Sequence, residues 1–327
     1  MDEKSSVSSI SIARLLEIDA EQNHSMGLEV LSGKEYLDKK YITSEEINRP
    51  GLPLAGFFDR FANQRIQILG RGEMAYIEKL LRENNKKNIV RFFEYDIPVC
   101  IVTHNFDIPS YLIEQSEKSG IPFLRTNLST KRFIAIVSTI LSELFAPSVT
   151  IHGNFISIYN VGVLITGKSG IGKSESVLGL VERGHKFVCD DIVRIKKIRT
   201  GKGVELKGEP FHNYGPYIEI RGIGIINVAQ YYGEGKILKS EKLDLIVDLH
   251  EWDSSYSYDR LGIEEKYENI LGIEVPRKEI PVSPGRNIPL LIEVAAYREV
   301  MRKLGYNSAI ELNEKIQELM KKEKEVV

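Results

Sequence analysis

The stretch Gly167-Lys168-Ser169-Gly170-Ile171-Gly172-Lys173-Ser174 follows the apolar run Val163, Leu164, Ile165 and precedes a helix-forming segment, Glu175 to Glu182. Glycine at Gly167 and Gly172 permits backbone angles that turn successive amide N–H groups toward one point, the concavity that phosphate oxygens require. Lys173 adds a positive charge, Ser174 offers a hydroxyl to a magnesium ion, and the helix N-terminus contributes its partial positive charge. The spacing is that of the phosphate-binding loop, GxxxxGK[ST]. A strand before it and a helix after it separate it from a chance match in a chain with 26 glycines. All eight residues are candidate nucleotide or phosphate ligands; the loop alone does not name the reaction.

Working outward, a chain of 327 residues is long for a single core, so two domains are expected. A hydrophobic content of 42% and a charged content of 28% describe an ordinary globular protein, and a net charge of −2 argues against nucleic-acid binding by bulk electrostatics. Cys100 and Cys189 each lie in an apolar run with no metal-ligand or disulfide spacing, so buried reduced thiols are expected. The N-terminal MDEKSSVSSI has no cleavable apolar core. The longest apolar region, Phe133 to Phe145, is interrupted by Ser138, Thr139, Ser142 and Glu143. Neither a signal peptide nor a membrane span is expected, and cytoplasmic residence follows.

In the first 128 residues, strand-like runs at Gly27–Leu31, Arg65–Leu69, Pro98–Val102 and Ile121–Leu124 alternate with helical patterns near Ala13–Ile18, Glu73–Leu81 and from Pro109 to Gly120. This predicts an α/β domain. Asn48–Gly56 is dense in helix breakers and reads as a fixed loop. His104 is the one candidate catalytic residue here, and a structural role is the plainer account. A helix from Leu128 to Phe145, with Ser129 as its cap, opens the second domain, which is assigned residues 129–327. Val149–Tyr159 and Val163–Thr166 read as a hairpin leading into the phosphate loop.

Beyond the loop helix, Lys186–Cys189 is a short strand ending in Asp190 and Asp191, where a carboxylate can hold magnesium or an attacking hydroxyl; a turn with a helix cap is the alternative. Glu219 and Arg221 interrupt an apolar, glycine-containing run, and buried charges there would serve a metal and a phosphate, or else each other. Arg260 sits in a Ser-, Tyr- and Asp-rich loop of the kind that delivers an arginine to a phosphate, or is simply exposed. Pro281–Asn287 forms a rigid basic loop before helices at Leu290–Leu304 and Ser308–Met320.

Taken together, these motifs resemble the bacterial HPr kinase/phosphorylase family, and the resemblance covers nearly the whole chain. It is carried by Ile151–Glu175, RGHKFVCDD at Arg183–Asp191, EIRGIGIINV at Glu219–Val228, YDRLG at Tyr258–Gly262 and PVSPGRN at Pro281–Asn287. In the first half it is carried by Ile42–Phe61 and Arg65–Glu73. It implies an N-terminal α/β domain plus a C-terminal P-loop kinase domain similar to the phosphoenolpyruvate carboxykinase core, assembled as a homohexamer. The implied activity is phosphorylation of a serine of HPr, the phosphocarrier of the sugar phosphotransferase system, with ATP or pyrophosphate. The reverse reaction is phosphorolysis by inorganic phosphate, and the pair links carbon supply to catabolite repression.

By the same resemblance Asp191 is the proton acceptor in the kinase direction and the donor in the other. Lys173 holds the transferred phosphate, Ser174 and Glu219 hold Mg2+, and His152 and Arg260 line the site. The stretch around Arg221 serves both directions, and Pro284, Gly285 and Arg286 chiefly dephosphorylation. Lys168 stands where an aspartate is usual and Ser283 where an arginine is usual, which is expected to alter nucleotide preference and weaken phosphorolysis. The rival readings are a small-molecule P-loop kinase and a nucleotide-gated regulatory module; loss of transfer without loss of ATP binding on replacing Asp191 separates them from the first.

Overall fold

The structure is a computed structural model that describes residues 8–201, 203–212, 214–253, 255, 265–308, 311–312 and 315–316. The chain divides into two units, one ending at Ala146 and the other beginning at Pro147.

The first unit is built on a five-stranded sheet in the order Leu28–Ser32, Phe123–Thr126, Cys100–Val102, Ile66–Leu69, Ile47–Asn48. The last four strands are parallel and the first pairs antiparallel to them. Helices cover both faces, which is why the strands read as nearly continuous apolar runs. Period-two alternation sends Ile66, Ile68, Ile101 and Leu124 to the helices Ile12–Glu21 and Thr130–Leu144. It sends Leu69, Cys100, Val102 and Phe123 to Arg71–Arg82, Lys87–Phe93 and Ser110–Ser119. The buried Gln67 is tolerated because its amide donates to the carbonyls of Ala62 and Arg65 at 2.9 and 2.8 Å and its oxygen accepts from Asn48.

Two expectations change here. The helix Thr130–Leu144, capped by Ser129 Oγ as anticipated, buries Phe133, Val137, Ile140 and Leu141 in the first unit's core. The boundary therefore lies at its end, not at residue 128, because the helix packs its apolar stripe on the first unit's sheet; Pro147 leads into the next strand. The breaker-rich segment Asn48–Gly56 is also more than a loop. It holds the last residue of an edge strand and a single helical turn, Gly51–Leu54, which buries Pro53 and Leu54.

The second unit is a nine-stranded sheet. Val161–Gly167 lies parallel to Glu241–Glu251, which lies parallel to Ile273–Val282; the remaining pairings are antiparallel. The hairpin expected to turn across Asn160, Val161 and Gly162 turns instead through Tyr159 and Asn160, whose φ values of 52° and 61° match the twist of a two-residue turn, while Val161 and Gly162 already pair in the strand. Val149–Tyr159 itself is broken at Gly153 into Ser148–His152 and Asn154–Ile158, which pair with different neighbours. At Gly153 a Cβ would come within 2.6 Å of the Ile165 carbonyl oxygen. One face of the sheet packs on the helices Lys173–Glu182 and Ile288–Lys303 through Val163, Ile165, Val177, Leu180, Ile292 and Ala296.

No described helix is long and apolar enough to cross a membrane. Both cysteines are buried and free. Burial pushes the Cys100 thiol far above its ordinary value, and burial followed by the charge of Asp190 pushes Cys189 up to about 12. With so little thiolate, neither is expected to react with iodoacetamide at pH 8 until the chain is denatured. Modification of the native protein at either position, read by mass spectrometry, would contradict the placement.

Candidate active site

The parallel pairing of Val161–Gly167 with Glu241–Glu251 ends at Gly167, and there the chain turns out of the sheet. Gly167 has φ 138°, and a Cβ on it would come within 2.4 Å of the Leu249 carbonyl oxygen, so both conformation and space demand glycine. Gly172, at φ 98°, is the N-cap of the helix Lys173–Glu182, with open space around it; there the conformation alone selects glycine. The predicted strand, loop and helix are therefore all present. Lys173 Nζ donates to the carbonyls of Gly167 and Lys168 at 3.0 and 3.1 Å, which lays the ammonium across the loop it belongs to.

The two adjacent aspartates are separated by the backbone. Asp190 turns inward: Oδ1 accepts from Ser174 Oγ at 3.0 Å and from Asn154 Nδ2, and Oδ2 accepts from the amide of Glu219 at 3.2 Å. Burial raises its pKa above the ordinary carboxylate value, against the hydrogen bonds from Glu219 and Ser174 that favour the anion. Asp191 has φ 67°, and this left-handed step throws its side chain outward, 80% exposed, with Oδ1 4.0 Å from Nδ1 of the equally open His152. The Asp191 carbonyl accepts from the Gly153 amide at 2.9 Å, and Ile192 pairs with His152, so the strand register places His152 beside Asp191.

Glu219 and Arg221 are not buried, contrary to expectation. The run folds as a hairpin, Tyr217–Ile220 against Gly224–Asn227, in which Ile218, Ile220 and Ile226 enter the core while Glu219 and Arg221 face out. Arg221 then reaches the phosphate loop: Nη2 donates to Ser169 Oγ at 3.1 Å, and a Cβ on Gly170 would lie 2.4 Å from Nη1.

The basic loop turns between the strand Ile273–Val282 and the helix Ile288–Lys303. Pro284 and Gly285 are exposed, Arg286 Nη1 donates to the Pro281 carbonyl at 2.7 Å, and Asn287 caps Ile288–Lys303 by accepting from the Leu290 amide. Arg286 is thus held within its own loop. Arg260, Tyr258 and the rest of 256–264 lie outside the described residues, as does most of the expected helix at Ser308–Met320.

Loop, Lys173, Ser174, Asp190, Asp191, His152, Glu219 and Arg221 are thereby brought to one region of a single unit. Asn154 carries no signal in the sequence, being a lone asparagine in an apolar strand, yet it is buried and bridges Asp190 and Ser174. Ser174 and Asp190 supply hard oxygen donors, and the amide that donates to Asp190 is that of Glu219, whose side chain carries a further carboxylate. That donor chemistry fits a magnesium ion, which takes few protein oxygens and completes its shell with water and substrate phosphates. The arrangement can bind a phosphate chain, carry a divalent cation at its inner side and present a carboxylate at its outer side.

The chain is similar to known proteins along most of its length. A family model described as HPr Serine kinase N terminus matches residues 15–141, and one described as HPr Serine kinase C-terminal domain matches residues 143–316. The HPr kinase/phosphorylase of Treponema pallidum (strain Nichols) is 42% identical over 307 residues, covering 94% of this chain and 95% of the relative. That of Caldanaerobacter subterraneus subsp. tengcongensis is 44% identical over 291 residues, covering 89% and 94%. The solved structure of the Hpr(Ser) kinase/phosphatase from Coxiella burnetii is 38% identical with a TM-score of 0.45, over 50% of this chain and 98% of that one.

Proposed function

This chain belongs to the HPr serine kinase family, and from that premise we propose that it transfers a phosphoryl group to a serine hydroxyl of HPr and removes it again. The observation that carries the reading is the division of the two aspartates around one phosphate loop. Asp190 is committed to Ser174, while Asp191 stands open for a protein substrate.

In the kinase direction the serine oxygen attacks the terminal phosphorus of ATP or pyrophosphate, the bond to the bridging oxygen breaks, and Asp191 takes the hydroxyl proton. ADP or orthophosphate leaves. In the reverse direction an orthophosphate oxygen attacks the phosphorus of phosphoserine, the bond from that phosphorus to the serine oxygen breaks as Asp191 returns a proton to it, and pyrophosphate is the product. Lys173, the loop amides and the helix N-terminus neutralise charge on the transferred group and align it, which is most of what phosphoryl transfer asks of a protein. Bound Mg2+ would be held by Ser174 and Glu219 with Asp190 alongside, and would supply charge neutralisation of the phosphate chain. His152, 4.0 Å from Asp191, supports the carboxylate's orientation.

The same reading includes a C-terminal domain similar to the phosphoenolpyruvate carboxykinase core, a homohexamer, a cytoplasmic location, and contributions from Arg260 and from Pro284, Gly285 and Arg286 to the site. The test is incubation with HPr, Mg2+ and either ATP or pyrophosphate, followed by mass spectrometry. One phosphate on a serine, released as pyrophosphate when orthophosphate is added, is the expected result. ATP turnover on small metabolites with HPr unmodified would replace it with the small-molecule kinase reading.

A further inference from the structure

Some cations of this unit pair with carboxylates, whereas others, Lys197, Lys236 and Arg286 among them, donate to backbone carbonyls. Arg183 pairs with Glu293, Lys196 with Glu209, Lys266 with Glu279 and Arg277 with Asp248. At the loop, among the described residues, Lys173 donates to backbone carbonyls and Arg221 to the neutral Ser169 hydroxyl. Lys168 is exposed and forms no ion pair among the described residues. Asp190 is the carboxylate that faces the loop from the inner side, and its oxygens are taken by Ser174, Asn154 and the Glu219 amide. Glu175 and Glu219 are exposed and form no ion pair with the three cations among the described residues.

One phosphate cradled by the loop is matched by Lys173 and the helix end. Lys168 and Arg221 are then surplus positive charge at the same five-residue turn. They come from two directions: Lys168 follows directly on the strand Val161–Gly167, and Arg221 arrives from the neighbouring hairpin, flush against Gly170. We propose that Lys168 and Arg221 are specificity-determining residues that take the second phosphate of a di- or oligophosphate, so that the site holds a pyrophosphate unit in preference to a single orthophosphate. The inference rests on the phosphate site of the proposed function and names the ligand class that this chain's loop favours. A charge of opposite sign at the second phosphate gains from both cations, whereas orthophosphate seated over Lys173 feels them only at longer, solvent-screened range.

The experiment is calorimetric titration of the whole chain with pyrophosphate and with orthophosphate, at fixed ionic strength and Mg2+. Lys168→Gln and Arg221→Gln are each expected to weaken pyrophosphate about fivefold and orthophosphate less than about twofold, as fits cations that bear on one phosphate and not the other. Lys168→Arg, which keeps the charge, retains the preference. Equal weakening of both anions, or no change in either, overturns the proposal. Lys173→Gln serves as the control for the site itself, weakening both anions together. If the unaltered chain binds neither anion, the phosphate-loop reading falls; if it binds both without regard to residue 168 and Arg221, only this inference does.

Discussion

Asp191→Asn is expected to slow phosphate transfer to HPr about a thousandfold, the usual reach of a lost general base, while leaving Mg2+-ATP affinity within about threefold. The structural grounds are that its side chain is 80% exposed and that, among the described residues, its ion-pair neighbour is His152 at 4.0 Å. Asparagine is the cleaner replacement because residue 191 sits at φ 67°, a conformation it tolerates and alanine does not. Asp190→Asn should behave oppositely. It disturbs an acceptor shared by Ser174, Asn154 and the Glu219 amide, so nucleotide binding in Mg2+ weakens and the fold loses stability along with any loss of rate. Phosphoserine formation and ATP titration on both variants decide the matter. Near-normal transfer by Asp191→Asn, with transfer lost and binding kept in Asp190→Asn, would exchange the two roles.

Glu293→Ala is expected to cost about 3 kcal/mol of stability. Glu293 projects from Ile288–Lys303 into a buried meeting point where Arg183 Nε at 2.7 Å, His185 Nε2 at 3.0 Å and Tyr159 Oη at 2.9 Å converge on its two oxygens. Removing it strands a buried imidazole and loosens the helix from the phosphate-loop helix at the end opposite the nucleotide. Burial alone would raise this carboxyl's pKa, but the bonds from Arg183, His185 and Tyr159 outweigh burial and hold it below the ordinary range. The sign follows: the folded value lies below the unfolded one, about 4.3. The stabilisation is therefore complete above that pH and is lost as pH falls through the folded value. Urea denaturation at pH 7 should show the loss in Glu293→Ala, and Glu293→Gln should flatten the acid limb of the stability profile. An unchanged midpoint at pH 7, or an acid limb as steep in Glu293→Gln as in the unaltered chain, would remove the network from the account.

Much of this was readable in the residues. The α/β alternation of the first half, the Ser129 cap, the hairpin before the loop and the strand running into the aspartates all rest on local rules of periodicity, capping and turn chemistry, and all are found. Errors gathered where a local pattern served a distant partner. The stripe Phe133, Val137, Ile140, Leu141 announced a helix but not which sheet it would cover, and so the boundary was drawn one helix early. Glu219 and Arg221 looked like charges in an apolar run because the hairpin that alternates them outward depends on a turn at Gly222 and on a core waiting for Ile218, Ile220 and Ile226.

The sequence by itself determined the glycine-shaped turn from strand to helix at Gly167–Ser174 and the placing of Lys173 on it, because the dihedral freedom of glycine acts within a few bonds. Only the tertiary structure decided which of two neighbouring aspartates faces the loop, that Asn154 joins Asp190 to Ser174, that Arg221 lies on Ser169, and that Glu293 gathers three donors. Each of these depends on strand register and helix docking that bring together residues far apart in the chain, and no local propensity encodes that meeting.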